Sequence, residues 1–114
     1  MFVLPVAPTA NNAFTNRKGG KGYGRVKSSR YRAWLKQADG FYMVQRLQDA
    51  KITTTPFYCR MDFPQLRGDL DGRAKLLLDW MVSRGITPDD KHLGGLVLSV
   101  KPGLEGLVEI RVWT

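Results

Sequence analysis

The spacing of apolar positions changes several times along this chain, and each change predicts an element. Phe2 to Val6 reads as a first strand, and Pro8 through Asn12 as a turn, because Pro and paired Asn favour turn dihedrals. Ser28 or Ser29 is placed to cap a helix with Tyr31, Trp34, Leu35 and Ala38 on one face. Gly40 breaks or kinks that helix before Tyr42 to Ala50 resumes the pattern. Thr53 to Phe63 is rich in β-branched and aromatic residues and stops at Pro64, as a strand does. From Gly72 the spacing turns helical, with Ala74, Leu77, Leu78, Met81 and Val82 as the apolar stripe and Gly85 as the stop. Two strands follow, Leu93 to Val100 and Leu104 to Trp113, joined around Pro102-Gly103. In the second, Val108, Ile110 and Val112 alternate against Glu109, Arg111 and Trp113. The order β-α-β-α-β-β, with two helices and a mixed sheet over residues 1–114, predicts a single compact α/β (α+β) domain.

Charge sharpens this picture because it is unevenly placed. The chain carries 18 Lys+Arg against 10 Asp+Glu. Residues 1–38 hold eight of the bases and no acid, and the remainder is neutral, ten against ten. The excess is therefore Arg17, Lys18, Lys21, Arg25, Lys27, Arg30, Arg32 and Lys36, interleaved with Phe14, Tyr23, Tyr31 and Trp34. Such a segment suits a phosphate backbone, with rings that stack on unpaired bases; the plainer alternative is a solvated surface that maintains solubility. Gly19, Gly20, Gly22 and Gly24 suggest a phosphate loop, but Gly24 is followed by Arg25 and Val26 rather than Lys and Ser or Thr. Residues 14–28 are expected as a mobile basic loop or hairpin tip.

At 114 residues and 43% apolar content the chain has room for one core. Met1 to Ala7 is far short of the roughly 20 apolar residues that cross a bilayer, so no membrane role and a cytoplasmic location are expected. The single cysteine, Cys59, stands in an apolar stretch and reads as a buried structural thiol.

The candidate chemistry lies in Asp69-Leu70-Asp71, Lys75 and Asp89-Asp90. Carboxylates are hard oxygen ligands suited to Mg²⁺ or Mn²⁺. Residues two apart diverge by about 200° on a helix but point the same way on an extended segment, so Asp69 and Asp71 can share an ion only if extended. A strand-to-helix junction ahead of a helix starting at Gly72 supplies that geometry. Against this, Asp71 can be a simple helix cap, Lys75 an ordinary ion-pair partner one turn on, and Asp89-Asp90 a solvated turn, although that loop could also swing back toward the same end of the sheet. An EF-hand is excluded, because positions 73, 74 and 80 are Arg73, Ala74 and Trp80. The aspartyl phosphatases of the haloacid dehalogenase type need a Thr after Gly72 and a larger domain. His92, the only histidine, has no neighbour for triad or zinc chemistry.

Taken together these residues resemble the RusA family of Holliday junction resolvases, small bacterial and phage endonucleases. The likeness covers Leu4-Pro5 with Pro8 through Asn12, the basic stretch to Tyr31-Arg32, and above all Arg67 through Asp90. The family pattern is Asp-x-Asp-Asn, a Lys four residues after the second Asp, a helix, a Gly and an Asp-Asp pair; here it is Asp69-Leu70-Asp71-Gly72, Lys75, Gly85 and Asp89-Asp90. The resemblance implies Asp69, Asp71 and Asp90 as metal-site acids, Lys75 as the catalytic cation, and Asp89 and Asn12 as supporting residues. It also implies a Mg²⁺-dependent (Mn²⁺ as substitute) homodimer that resolves four-way DNA junctions by paired nicks in recombination and repair. Gly72 departs from the family's Asn, and the turn before Asn12 is one residue longer. The alternative from another class is a non-catalytic nucleic-acid-binding module, in which the acids are caps and only the basic segment works; an RNA-directed nuclease would share the metal chemistry.

Overall fold

Burial alternates along the strand Phe57–Phe63 as far as Met61: Phe57, Cys59, Met61 and then Phe63 are buried hydrophobic residues, Tyr58 and Arg60 are more exposed, and Asp62 on their face is buried as well. The computed structural model of the protein describes residues 1–16 and 25–114. In chain order its elements are β1 (Phe2–Pro5), α1 (Ala10–Ala13), β2 (Phe14–Asn16), β3 (Arg25–Lys27), α2 (Ser29–Gln45), β4 (Phe57–Phe63), α3 (Leu70–Ser83), β5 (Leu93–Val100) and β6 (Leu107–Trp113). Single 3₁₀ turns occupy Leu47–Ala50 and Asp90–His92. The fold is α+β, a mixed four-stranded sheet in the order β1-β6-β4-β5 with helices packed on one face.

The main order agrees with the sequence expectation, and the differences have local causes. Thr9 caps α1 by accepting the Asn12 amide at 3.3 Å, so the expected turn over Pro8–Asn12 contains one helical turn. The expected loop over 14–28 is at its two ends an antiparallel pair, β2 with β3. Its middle, residues 17–24, with the four glycines, Tyr23, Arg17, Lys18 and Lys21, lies outside the described residues. Ser28 caps α2 through the Tyr31 amide, and the helix runs straight through Gly40. Gly40 costs about 1 kcal/mol there. Contacts on either side offset it: Asp39 accepts Trp80 Nε1 at 3.1 Å and the Arg84 guanidinium at 2.7 Å, and Gln45 bonds Val3. The strand expected from Thr53 begins only at Phe57, since Pro56 has no amide for the ladder.

Parallel pairing of β4 with β5, from Phe57↔Leu93 to Phe63↔Val100, requires a full-length return, which α3 provides. Gly85 ends α3 as expected, at φ +70° with the Gly85 and Ile86 amides returned to Val82 and Met81. The last two strands are not neighbours: β4 lies between β5 and β6, and the connection 101–106 steps across its end, held by the Lys101 amide on Phe63 O at 2.8 Å.

Trp80 fixes both helices to one another. It is fully buried and meets the Trp34 and Tyr42 rings edge-on, at 6.5 and 6.1 Å between centroids. Trp80→Ala is expected to destabilise by about 3–5 kcal/mol, read from the denaturant midpoint. Cys59 is fully buried, and burial pushes its thiol up to about 12. It is expected to resist a disulfide reagent at neutral pH in the native protein and to react at once in denaturant. No helix among the described residues is long and apolar enough to cross a membrane.

Candidate functional site

Asp69 is the cap of α3. Its backbone is extended (φ −84°, ψ 125°), and its Oδ1 accepts the Asp71 amide at 3.0 Å. The helix thus begins two residues before Gly72, and Asp71 is already helical. This corrects the expected extended Asp69-Leu70-Asp71 segment: the cap role belongs to Asp69, and the two carboxylates do not share one extended face. Lys75 is exposed one turn beyond Asp71 and forms no ion pair among the described residues.

Asp89 and Asp90 belong to the opposite end of the sheet. They directly precede β5, whereas Asp69 follows β4, and those strands are parallel. The 14 residues of α3 between them span about 21 Å. The Ile52 amide on Ile86 O further ties that region to the entrance of β4. The loop therefore does not swing back to Asp69. Asp89 repeats the cap geometry, accepting the Lys91 amide at 3.0 Å. That bond first, and a side-chain hydrogen bond with Asp90 second, hold its carboxyl below its ordinary range. Among the described residues no three acidic, His or Cys side chains gather where they would hold a metal ion. Within a single chain Asp69, Asp71 and Asp90 thus do not fit a shared divalent cation.

Beside the Asp69 end lies a polar cavity of about 360 Å³, between α1, α2 and α3. Asn12, Arg30, Gln37 and Arg73 line it. Arg73 donates to Ala7 O at 2.7 Å and Arg67 O at 3.1 Å, joining the N-terminal turn to the loop before α3, while its Nε is buried without a partner among the described residues. Sequence reasoning used Arg73 only to exclude the EF-hand; an arginine in a first helical turn looks like a solvated surface charge, and only the fold shows its head turned under the Pro8–Thr9 segment. A larger hollow of about 670 Å³, lined by Val3, Pro5, Phe41 and Val44, has no charged lining and does not suit phosphate.

The basic segment divides in two. Arg30, Arg32 and Lys36 are exposed on α2, and Lys27 is exposed on β3 with its ammonium 5.7 Å from the Tyr31 ring centre. Arg25 opens β3. The aromatic residues behave otherwise: Tyr31 and Trp34 are buried, Phe14 meets Tyr31 edge-on at 5.4 Å, and Trp34 Nε1 donates to Pro5 O. These rings are core, not a stacking surface for bases.

No protein-family model matches this chain, and no curated protein is a significant match.

Gly72 has a packing reason. A Cβ there would lie 3.1 Å from Ala10 Cβ and 3.2 Å from Ala10 N, so its absence lets α3 dock closely on α1. Gly72→Asn is expected to destabilise by about 1–2 kcal/mol in thermal or denaturant unfolding, because the atoms it meets are the Ala10 amide nitrogen and the Ala10 Cβ, which is fixed to that backbone and has no rotamer to move away.

Proposed function

We propose that the chain is a metal-dependent endonuclease of the RusA type, acting on branched DNA as a pair of identical copies. The observation that carries this is the spacing of Asp69, Asp71, Lys75 and Asp89-Asp90 together with their division between the two ends of α3. The length of α3 separates these acids within one chain, and in this proposal they meet across two copies. The β5 edge supports such a pairing. Leu93–Val100 contains no charged residue and among the described residues pairs on one side only, whereas the other sheet edge, β1, has Val3 covered by the Gln45 amide at 2.7 and 2.9 Å. Antiparallel association of two β5 strands about a twofold axis would carry Asp90 of one copy to the sheet end that bears Asp69 and Asp71 of the other.

A bound Mg²⁺ or Mn²⁺ would supply Lewis-acid charge at that junction. The remaining work falls to side chains of this protein. Lys75, exposed and free of an acidic partner among the described residues, neutralises charge that develops on the scissile phosphate. Arg30 and Asn12 at the adjoining cavity hold the neighbouring phosphate, and Arg32, Lys36 and Lys27 extend the grip along the backbone. The second reading, a binding module without catalysis, is favoured by the cap bonds of Asp69 and Asp89.

The two are separated by a labelled four-way junction incubated with Mg²⁺ or EDTA. Wild-type protein is expected to cut it only with Mg²⁺, and Asp71→Asn and Asp90→Asn are each expected to bind without cutting. Mixing the two inactive variants should restore nicking of one strand, since a mixed pair contains one site in which both acids are intact. Binding without cleavage by the wild type under Mg²⁺ and Mn²⁺ would leave the module; cleavage by the wild type with no restoration on mixing would place the site within one chain.

A further inference from the structure

The sheet has a second face, which no part of the proposed cleavage chemistry uses. Across β5, β4 and β6 it presents three rows: Gly95, Tyr58 and Trp113; Val97, Arg60 and Arg111; Ser99, Asp62 and Glu109. None of the exposed members joins the core. Successive rows lie about 6.6 Å apart, the two-residue repeat of a strand.

The charges on this face are layered. Asp62 and Glu109 have side chains only 10% and 11% exposed, whereas their partners Arg60 and Lys101 are 44% and 50% exposed. The acids lie beneath and the cations above. Arg111 stands directly opposite Arg60 on the neighbouring strand and has no acidic partner among the described residues. Like charges in that position repel, and an anion between them removes the repulsion. A hollow of about 310 Å³ lies there, lined by Arg60, Asp62, Ser99, Lys101 and Arg111 among others, with the Asp62 carboxylate held against the Arg60 guanidinium at 3.1 Å.

The neighbouring row supplies a flat aromatic surface. Tyr58 and Trp113 stack at 6.0 Å between centroids with planes 23° apart. The Tyr58 ring lies over β5 because two glycines make room: a Cβ on Gly94 would sit 2.8 Å from Tyr58 Cε1, and one on Gly95 3.2 Å from Cδ1. Trp113 remains 45% exposed.

We infer that this outer face binds a single nucleic-acid strand, with a backbone phosphate held by Arg60, Lys101 and Arg111 and a base stacked on Trp113. The inference rests on nucleic acid being the substrate. It adds a contact surface on the side of the sheet opposite α2, one step removed from any bond cleavage.

Trp34 and Trp80 are 3% and 1% exposed, so changes in quenchable tryptophan emission report Trp113. The test titrates the protein in EDTA with an oligothymidylate and with an abasic strand of equal length, following emission and, separately, the anisotropy of the labelled strand. Oligothymidylate is expected to quench the emission and the abasic strand to bind without quenching. Arg111→Gln should weaken both strands about tenfold and lower the salt dependence by about one contact. Trp113→Phe should weaken only the strand with bases. Binding by anisotropy with unchanged emission and with both variants like wild type would overturn the inference and leave the endonuclease proposal standing. Absence of binding to any strand or junction would remove both. Quenching that follows protein concentration without DNA would make the face an interface between copies and overturn the inference.

Discussion

The parallel pairing of β4 with β5 is the constraint on which the rest of this structure depends. Neighbouring parallel strands cannot be closed by a tight turn, so the chain must travel the length of the sheet before β5 begins. That journey is α3, and it carries Trp80, Leu77 and Met81 onto the sheet as the centre of the core. It also separates the acids. Whatever precedes α3 sits at one end of the sheet and whatever follows it at the other, so the distance between Asp69 and Asp90 is set by topology rather than by side-chain conformation. In the proposed function, chemistry that needs both acids at once is therefore assigned to a pair of copies.

The basic segment shows how one stretch of sequence takes on two unrelated tasks. Over Ser29–Gln45 the helical repeat turns Tyr31, Trp34 and Ala38 inward and Arg30, Arg32 and Lys36 outward. The rings that alternate with the cations in sequence are thus on the other side of the helix in space. Burial also raises the Tyr31 hydroxyl above its ordinary range, with the charge of Asp79 adding to the effect. The acid-free segment before Asp39 supplies the exposed cations of α2, Arg30, Arg32 and Lys36, while Met43 and Val44 make its exposed C-terminal part apolar. Tyr31 and Trp34, the rings of the pattern that fall within α2, serve the core.

Much of the fold was legible for a simple reason: alternation and helical spacing report which side of an element is buried. β5 matches its expected bounds, Leu93–Val100, and Gly85 ends α3 where expected, because a left-handed residue after a helix strongly favours glycine. Neighbour relations were less accessible. Alternation in Val108, Ile110 and Val112 says which face is inward, but nothing in it says that β4 rather than β5 is the adjacent strand. α3 starts two residues before the expected Gly72, because an aspartate before a helix serves equally as cap and as ligand, and the cap bond of Asp69 claims the amide of Asp71. The spacing of the acids was visible; their separation by the length of a helix follows only once β4 and β5 are known to be parallel.

The outer face of the sheet was hidden for another reason. Tyr58, Arg60, Arg111 and Trp113 are scattered over two strands that are distant in sequence, and only the register Tyr58↔Trp113 and Arg60↔Arg111 makes them adjacent. The net charge of residues 39–114 is zero, which suggests no anion site there. Burial changes that balance, since a carboxylate beneath its partner contributes little to what an approaching strand meets, while the cation above it remains in solvent. A neutral segment can in this way present a positive surface. With α2 on one side of the sheet and the arginine row on the other, a nucleic acid that touches both must pass around an edge of the sheet. A straight duplex cannot do so without bending, whereas a branched molecule has arms that leave its centre in different directions.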